Sequence, residues 1–276
     1  MKLQLEALRR SLRLVGAAAF VTYKEWSEYR SHMVVSLLVG PLYFLVQMYI
    51  WSAVLSAGGS INGMSLPQLL TYYGIAALIG YLIFDFSDWN LQMLISTGKF
   101  MTFIQRPMPH RLFSFSQKIG HRALGFGLEF IPVYALFYFV FKVRLIPERP
   151  LWFLLSIALS FVLLFFINYT IGISAFWLTR TVGLRRAYAV IRDICAGVFI
   201  PLTFFPHAIQ KLLFFLPFQY VTYVPIRVFI GSYELAGIHM SMPQIVGCQA
   251  LAVIAMAVVC EVLWRLGIRK FTGEGA

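Results

Sequence analysis

Six long apolar blocks constrain this chain more than any other feature of its sequence. Each is rich in aromatic residues and runs for roughly 17 to 28 residues, long enough for an α-helix to cross about 30 Å of hydrocarbon. The blocks cover 33–55, 67–84, 123–141, 151–178, 189–205 and 244–266. Backbone polar groups in lipid must be satisfied internally, and the blocks lack the alternation typical of barrel strands. The sequence therefore predicts an all-α polytopic membrane protein, in which 1–276 form a single transmembrane domain with six transmembrane helices.

The composition agrees with a membrane protein. Of the 276 residues, 60% are hydrophobic and 12% are charged, and this charged share is about half that of a soluble domain. The three cysteines, Cys195, Cys248 and Cys260, lie in apolar segments at unrelated spacings, a pattern typical of neither a disulfide framework nor a zinc site. We therefore expect no metal site.

The distribution of Lys and Arg predicts the orientation in the membrane. If both termini and the loops at 85–122 and 178–192 are cytoplasmic, 18 of the 23 Lys and Arg residues lie inside and 5 lie outside. This asymmetry is the positive-inside signal, and it explains the net charge of +12 without a nucleic-acid partner. We expect a multi-pass protein of the cell inner (plasma) membrane with both termini in the cytoplasm.

Two segments outside the blocks have their own character. Residues 1–32 mix charges with apolar residues at helical spacing, which predicts an amphipathic interfacial helix in contact with membrane lipid. A plain anchoring helix is the alternative. Residues 206–242 are apolar but are divided by prolines and a glycine into pieces too short to span. Since broken helices at membrane depth need a cover of protein or a cavity, we expect re-entrant or interfacial helices on the extracytoplasmic side.

The loop at 85–122 is the longest polar interruption between blocks, and it carries basic residues with aromatic and aliphatic residues among them. Four apolar side chains follow one another closely in it: Phe100, Met101, Phe103 and Ile104. Apolar side chains on a water-facing loop need another surface that shields them from water. A partner protein would provide it, and Arg106 beside them is typical of a binding hot spot. The alternative is packing against the N-terminal helix of this chain or the lipid interface.

Several chemistries have no counterpart in the sequence. Gly98-Lys99 lacks the upstream glycine of a P-loop, and no metalloprotease or serine-hydrolase motif is present. We therefore expect no catalytic residue and no cofactor bound by this chain. Glu129 is a charged residue within a predicted span, and such residues are costly enough to be functional candidates. Structural pairing or access to water is the alternative for Glu129.

The chain resembles the permease subunits of ABC-2-type ATP-binding-cassette transporters over nearly its whole length. Two stretches carry the resemblance beyond the order of the spans. One is the loop run from Gly98 to Arg106-Pro107, similar to a glycine-led helix that closes on Arg-Pro. The other is 201–231, PLTFFPHAIQKLLFFLPFQYVTYVPIRVFIG, similar to a proline-rich signature before the last span.

The resemblance implies a dimeric exporter, formed with a second copy or a related permease, that rests on a separate cytoplasmic ATPase. ATP and Mg would then be bound by the partner subunit, and the loop at 85–122 would be the coupling loop that docks on it. The residues assigned to this coupling are Gly98, Phe100, Met101, Phe103, Ile104, Arg106 and Pro107.

A translocation path or gate is expected around Glu129 and the aromatic residues of the broken segment, Phe218, Tyr220 and Tyr223. These rings suit amphipathic or cationic substrates through cation–π contacts, although anchoring at the membrane interface is an equal alternative. An ion-coupled transporter or channel and a membrane-embedded lipid-modifying enzyme are alternative functions. The sequence leaves the substrate open.

Overall fold

The computed structural model describes residues 2–28, 35–56, 58–106, 108–143, 145–178 and 182–271, with side chains from Leu12 onward. The described residues form helices and two short antiparallel hairpins, which confirms an all-α polytopic architecture. The hairpins pair β1 (Ser60–Ile61) with β2 (Met64–Ser65), and β3 (Tyr233–Leu235) with β4 (Ile238–Met240).

The helices follow in chain order. Those of the N-terminal half are α1 (Lys2–Glu28), α2 (Val39–Val54), α3 (Leu66–Ile83), α4 (Ser87–Ser96), α5 (Phe100–Ile104) and α6 (His110–Phe139). Those of the C-terminal half are α7 (Pro150–Ile173), α8 (Val182–Cys195), α9 (His207–Phe215), α10 (Tyr223–Ile230) and α11 (Met242–Ile268). A π-helical turn at Phe126–Phe130 interrupts α6, and a 3₁₀ turn at Ser174–Phe176 prolongs α7.

Four of these helices are long and apolar enough to cross a membrane: α3, α6, α7 with its 3₁₀ turn, and α11. A fifth helix, α2, is apolar but has only 16 residues. The predicted fifth span at 189–205 is wrong as a continuous helix, because α8 ends at Cys195 and the backbone turns at Gly197 with φ of 76°. An L side chain rarely adopts this φ, so glycine permits the turn here. Pro201 then prevents helical hydrogen bonding from its own nitrogen.

The long helix α6 begins earlier than the sequence predicted. It begins at His110, directly after Pro109, so 110–122 belong to a helix and not to a loop. Lys118 in this part is buried, and its Nζ donates to the carbonyl of Phe161 at 2.6 Å. The loop between the second and third predicted spans therefore consists of α4, α5 and the turns beside them.

The same N-terminal capping motif begins α3 and α11. In Ser-Leu-Pro-Gln and Ser-Met-Pro-Gln, proline occupies the first turn and the glutamine side chain reaches back to the serine. The backbone N–H of Ser65 donates to Oε1 of Gln68 at 2.8 Å, and that of Ser241 donates to Oε1 of Gln244 at 2.9 Å. These capping boxes satisfy N-terminal groups that the helix leaves without partners, so the sequence fixes both starts locally.

The helices pack in two main pairs, α1 along α6 and α7 along α11. Between α7 and α11 the fully buried Gln249 accepts a hydrogen bond from Ser156 Oγ and donates to the carbonyl of Tyr220. This links both helices to the broken segment. The structure divides that segment into short helices, as predicted, and Gly231 ends α10 in the left-handed conformation. Its placement relative to the membrane stays a prediction.

Candidate functional site

A cavity of about 580 Å³ lies where α2, α3, α6 and α7 meet the segment that follows α8. Its wall is largely apolar and aromatic, and side chains of opposite charge from α6 and α8 line it. Ligand sites are typically apolar concavities of this size with a few polar groups. The cavity is therefore the candidate functional site.

An ion pair from α6 forms part of the cavity wall. Nη1 of Arg122 lies 3.0 Å from Oε2 of Glu129, and both side chains are about 95% buried. Ser36 Oγ donates a hydrogen bond to Oε1 of the same carboxylate. Glu129 lies inside the π-helical turn, which widens the helix at the position where the pair forms. Turns of this kind are frequent at functional sites.

Tyr81 connects this ion pair to the start of α2. Its carbonyl accepts from Nη1 of Arg122 at 2.7 Å, and its hydroxyl accepts from the backbone N–H of Gly40 at 2.8 Å. The same hydroxyl donates to the carbonyl of Ser36 at 2.8 Å. A Cβ at Gly40 would lie 2.5 Å from the ring of Tyr81, so the close approach of α2 to α3 requires glycine. These contacts hold three helices together on one side of the cavity.

His121 occupies the space between α1 and the ion pair. The ring of Trp26 contacts it edge-on at 4.3 Å, and its Nδ1 accepts from Nη2 of Arg122 at 2.7 Å. Since arginine can only donate, Nδ1 carries no proton in this arrangement. The N-terminal helix thus closes one side of the site.

A second pair of opposite charges lines the cavity from α8. Nε of Arg192 donates to Oδ1 of Asp193 at 2.8 Å, and its Nη1 donates to Oδ1 of Asn168 at 3.2 Å. Tyr188 also donates to Asn168, so α8 is tied to α7 near its C-terminal end.

Three tyrosines satisfy the backbone where α8 unwinds. Tyr72 donates to the carbonyl of Gly197 at 2.6 Å, Tyr43 to that of Val198 at 2.5 Å, and Tyr73 to that of Phe199 at 3.2 Å. These carbonyls lack helical partners, and leaving such a group buried and unpaired costs about 1–3 kcal/mol. The tyrosines therefore explain how a broken helix persists in apolar surroundings.

The predicted gate residues divide between the cavity and the core. Glu129 lines the cavity, but Phe218, Tyr220 and Tyr223 are not among the lining residues described. Tyr223 is buried and donates to the carbonyl of Glu234, and Phe218 lies near Tyr188. The adjacent Val221 and Thr222 line the cavity instead. The structure thus brings Glu129 together with residues that the sequence did not single out.

Arg122 and Tyr81 could have been found from the sequence by two signals. Arg122 and Glu129 are seven residues apart, which places them near one helical face two turns apart. Buried tyrosines need a partner for their hydroxyl, and α3 carries three of them, Tyr72, Tyr73 and Tyr81.

The predicted coupling residues form the short helix α5 and the turns beside it. Met101 and Ile104 are exposed by 47% and 53%, as expected of a contact surface, and Arg106 is exposed too. Phe100 and Phe103 are buried within this chain, so these two side chains need no partner protein to cover them. Gly98 adopts φ of 70° in the turn before α5.

The seventh predicted coupling residue, Pro107, lies outside the described residues.

The buried face of α5 rests on an aromatic cluster at the ends of α6, α7 and α11. Phe100 contacts the rings of Phe176, Trp264 and Phe271 at centroid distances of 5.4 to 5.9 Å. His110 contacts Phe103 at 4.6 Å, and its Nδ1 lies 2.9 Å from the hydroxyl of Tyr169. The buried face of α5 therefore packs on this chain's own α6, α7 and α11.

The helix before α5 is also attached to the rest of the fold. Asp88 in α4 lies 3.9 Å from Arg185 in α8, and burial raises the pKa of Asp88 above its ordinary value. Gly172 of α7 permits a close approach, since a Cβ there would lie 3.1 Å from Leu91. The region at α4 and α5 is therefore mechanically connected to α7, α8 and α11.

Among the described residues, no group of His, Cys, Asp and Glu could hold a metal ion. The polar groups of the cavity are ion pairs and tyrosines, which suit binding and packing.

Comparison with known proteins gives the family. The profile of the family described as "ABC-2 family transporter protein" matches residues 42–275, most of the chain. No curated protein and no solved structure matched. The match confirms the resemblance seen in the loop and in the proline-rich segment. The chain belongs to the ABC-2 family of transporter proteins and is a multi-pass membrane permease of an ATP-binding-cassette transporter.

Proposed function

We propose that this permease exports its substrate with energy from a separate cytoplasmic ATPase, and that α5 is the element on which the ATPase acts. ATP and Mg are bound by that partner. Two permease chains, identical or related, form the pathway, and both termini are cytoplasmic. Homodimer and heterodimer fit the chain equally.

One observation carries this proposal: α5 has an exposed apolar face beside an anchored one. Met101 and Ile104 face outward beside Arg106, while Phe100 and Phe103 are fixed in the aromatic cluster. An exposed apolar and basic surface on a rigid support is suited to a protein partner. Because the buried face of α5 contacts Trp264 of α11, a displacement of α5 is transmitted directly to a membrane-spanning helix.

The test is purification of the full chain from cells that express it together with its chromosomal neighbours. We expect a P-loop ATPase to co-purify in stoichiometric amount and to hydrolyse ATP. The double variant Met101→Asp/Ile104→Asp should lose the ATPase, because buried carboxylates at a contact would be unpaired. Arg106→Glu should weaken the association.

Ile238→Asp is the matched control. Ile238 is also an exposed apolar residue, but it lies in the β3–β4 hairpin, far along the chain from α5. This variant should retain the ATPase and elute from size-exclusion chromatography like the wild type. Full ATPase retention by the Met101/Ile104 double variant would contradict the assignment of α5.

A further inference from the structure

We propose that the cavity binds an amphipathic organic cation. This names the substrate class of the permease and so rests on the proposed function. The argument uses three properties of the lining residues: their donors, their acceptors and their rings.

The guanidinium donors of the lining are already used inside the protein. Nε, Nη1 and Nη2 of Arg122 all contact acceptors of His121, Tyr81 and Glu129. The three nitrogens of Arg192 contact Asp193 and Asn168. An anionic ligand would have to break these contacts in a buried site, which is costly.

The tyrosine hydroxyl groups of the lining also donate to acceptors of the protein itself. That of Tyr43 donates to the carbonyl of Val198, and that of Tyr81 donates to the carbonyl of Ser36.

The acceptors, in contrast, are in excess. Three carboxylates line the cavity, those of Asp85, Glu129 and Asp193, against two guanidinium groups. In the described part of the chain, Oδ2 of Asp193 accepts no hydrogen bond from another group. Among the residues that the structure describes, Asp85 accepts hydrogen bonds from Ser87 alone, two residues along the chain. The lining itself therefore holds three carboxylates and two guanidinium groups. Lys118, which interacts electrostatically with Asp85, is not among the lining residues and donates its hydrogen bond to the carbonyl of Phe161.

Aromatic rings complete a cation site. Trp26, Tyr43, Phe84 and Phe199 line the cavity, and aromatic faces attract cations through the quadrupole of the ring. Phe84 already holds a cation of the protein, since the guanidinium of Arg122 lies 5.1 Å from its ring centroid. The apolar remainder of the wall suits a hydrophobic body. An organic cation with apolar substituents satisfies both requirements.

The experiment measures binding of tetraphenylphosphonium and of tetraphenylborate, which share size and shape but differ in charge. The full chain is placed in phosphatidylcholine nanodiscs, and binding to empty nanodiscs is subtracted. We expect saturable binding of the cation and at least about tenfold weaker binding of the anion, equivalent to about 1.4 kcal/mol. Asp85→Asn removes a lining carboxylate while the salt bridges of Arg122 with Glu129 and of Arg192 with Asp193 stay intact, and it should weaken cation binding about three- to tenfold.

Glu234→Gln is the matched control, because Glu234 is a half-exposed carboxylate in the β3–β4 hairpin and not among the lining residues. It should bind like the wild type. Phe199→Ala is a second variant that changes no charge and should also weaken the cation. Equal affinity for both ions, no saturable binding, or unchanged affinity in both cavity variants would overturn the inference. Since this measurement needs no ATPase, its result is separate from that of the co-purification.

Discussion

Arg122 and Glu129 form a buried ion pair 3.0 Å long, two turns apart in one helix and across a π-helical turn. Ser36, Tyr81 and His121 surround the pair with hydrogen bonds, so it joins α2, α3 and α6 at the wall of the cavity. An intramembrane pair of this kind is costly to bury and valuable only if its partners stay in place. It therefore fixes the relative position of these three helices.

Glu129→Gln should lower the stability of the permease strongly, because the guanidinium of Arg122 would lose its counter-charge in a buried site. Breaking a buried pair costs about 3–5 kcal/mol, whereas apolar replacement of both partners is often nearly neutral. The double variant Arg122→Met/Glu129→Met should therefore be more stable than Glu129→Gln. Thermal unfolding in detergent measures both. A double variant less stable than the single one would show that the pair itself, and not the orphaned charge, determines stability.

Tyr72→Phe should destabilise the break after α8. Removal of the hydroxyl leaves the carbonyl of Gly197 without its donor, at a cost of about 1–3 kcal/mol. Hydrogen exchange should accelerate locally in 196–202. Tyr49→Phe is the control, since Tyr49 is 70% exposed on α2. Equal exchange in Tyr72→Phe and wild type would show that the tyrosines do not hold the unwound segment.

The physical reasons for what the sequence could and could not predict differ from element to element. The spans at 67–84, 151–178 and 244–266 could be predicted because apolar length and a proline-containing start act locally. The break at Gly197 could not, since an apolar run looks alike whether it is helical or unwound. The distant hydroxyls of Tyr43, Tyr72 and Tyr73 stabilise the unwound form.

For the predicted coupling residues too, the sequence does not show which apolar side chains are buried. Exposure of Met101 and burial of Phe100, one residue earlier, depend on the ends of α7 and α11, which are more than 70 residues away along the chain. Composition marks the whole run as apolar. Tertiary contacts decide which side chains remain available to a partner.

Gly120→Ala should detach α1 from α6. A Cβ at Gly120 would overlap the backbone carbonyl of Ala19, and backbone cannot move aside as a flexible side chain can. Overpacking of this kind costs about 1–3 kcal/mol. Gly16→Ala in α1 is the control, since nothing lies within 4 Å of its Cβ position. We expect faster proteolysis within α1 for Gly120→Ala alone, and identical cleavage of the two variants would contradict this contact.

Phe100 and Met101 are neighbours in the chain, but Phe100 is buried and Met101 is exposed. Substitutions at these two positions therefore allow stability to be separated from partner binding. Phe100→Ala removes a ring that is 1% exposed and should cost about 3–5 kcal/mol, because the cavity left beside Trp264 cannot close fully. Met101→Ala should leave the unfolding midpoint unchanged, since the side chain is 47% exposed. Phe100→Leu should recover much of the loss.

Association with the ATPase should depend on position 101 and not on position 100, which is the reverse of the expected effect on stability. In the complex with the ATPase, Met101→Ala should weaken association at unchanged stability, whereas Phe100→Leu should retain the ATPase but lower substrate-dependent ATP hydrolysis. The reason is that Phe100 joins α5 to the last helix, so a smaller side chain loosens the transmission and not the docking surface. If Met101→Ala lowered the melting temperature as much as Phe100→Ala, the outer face of α5 would be part of the core and not a docking surface.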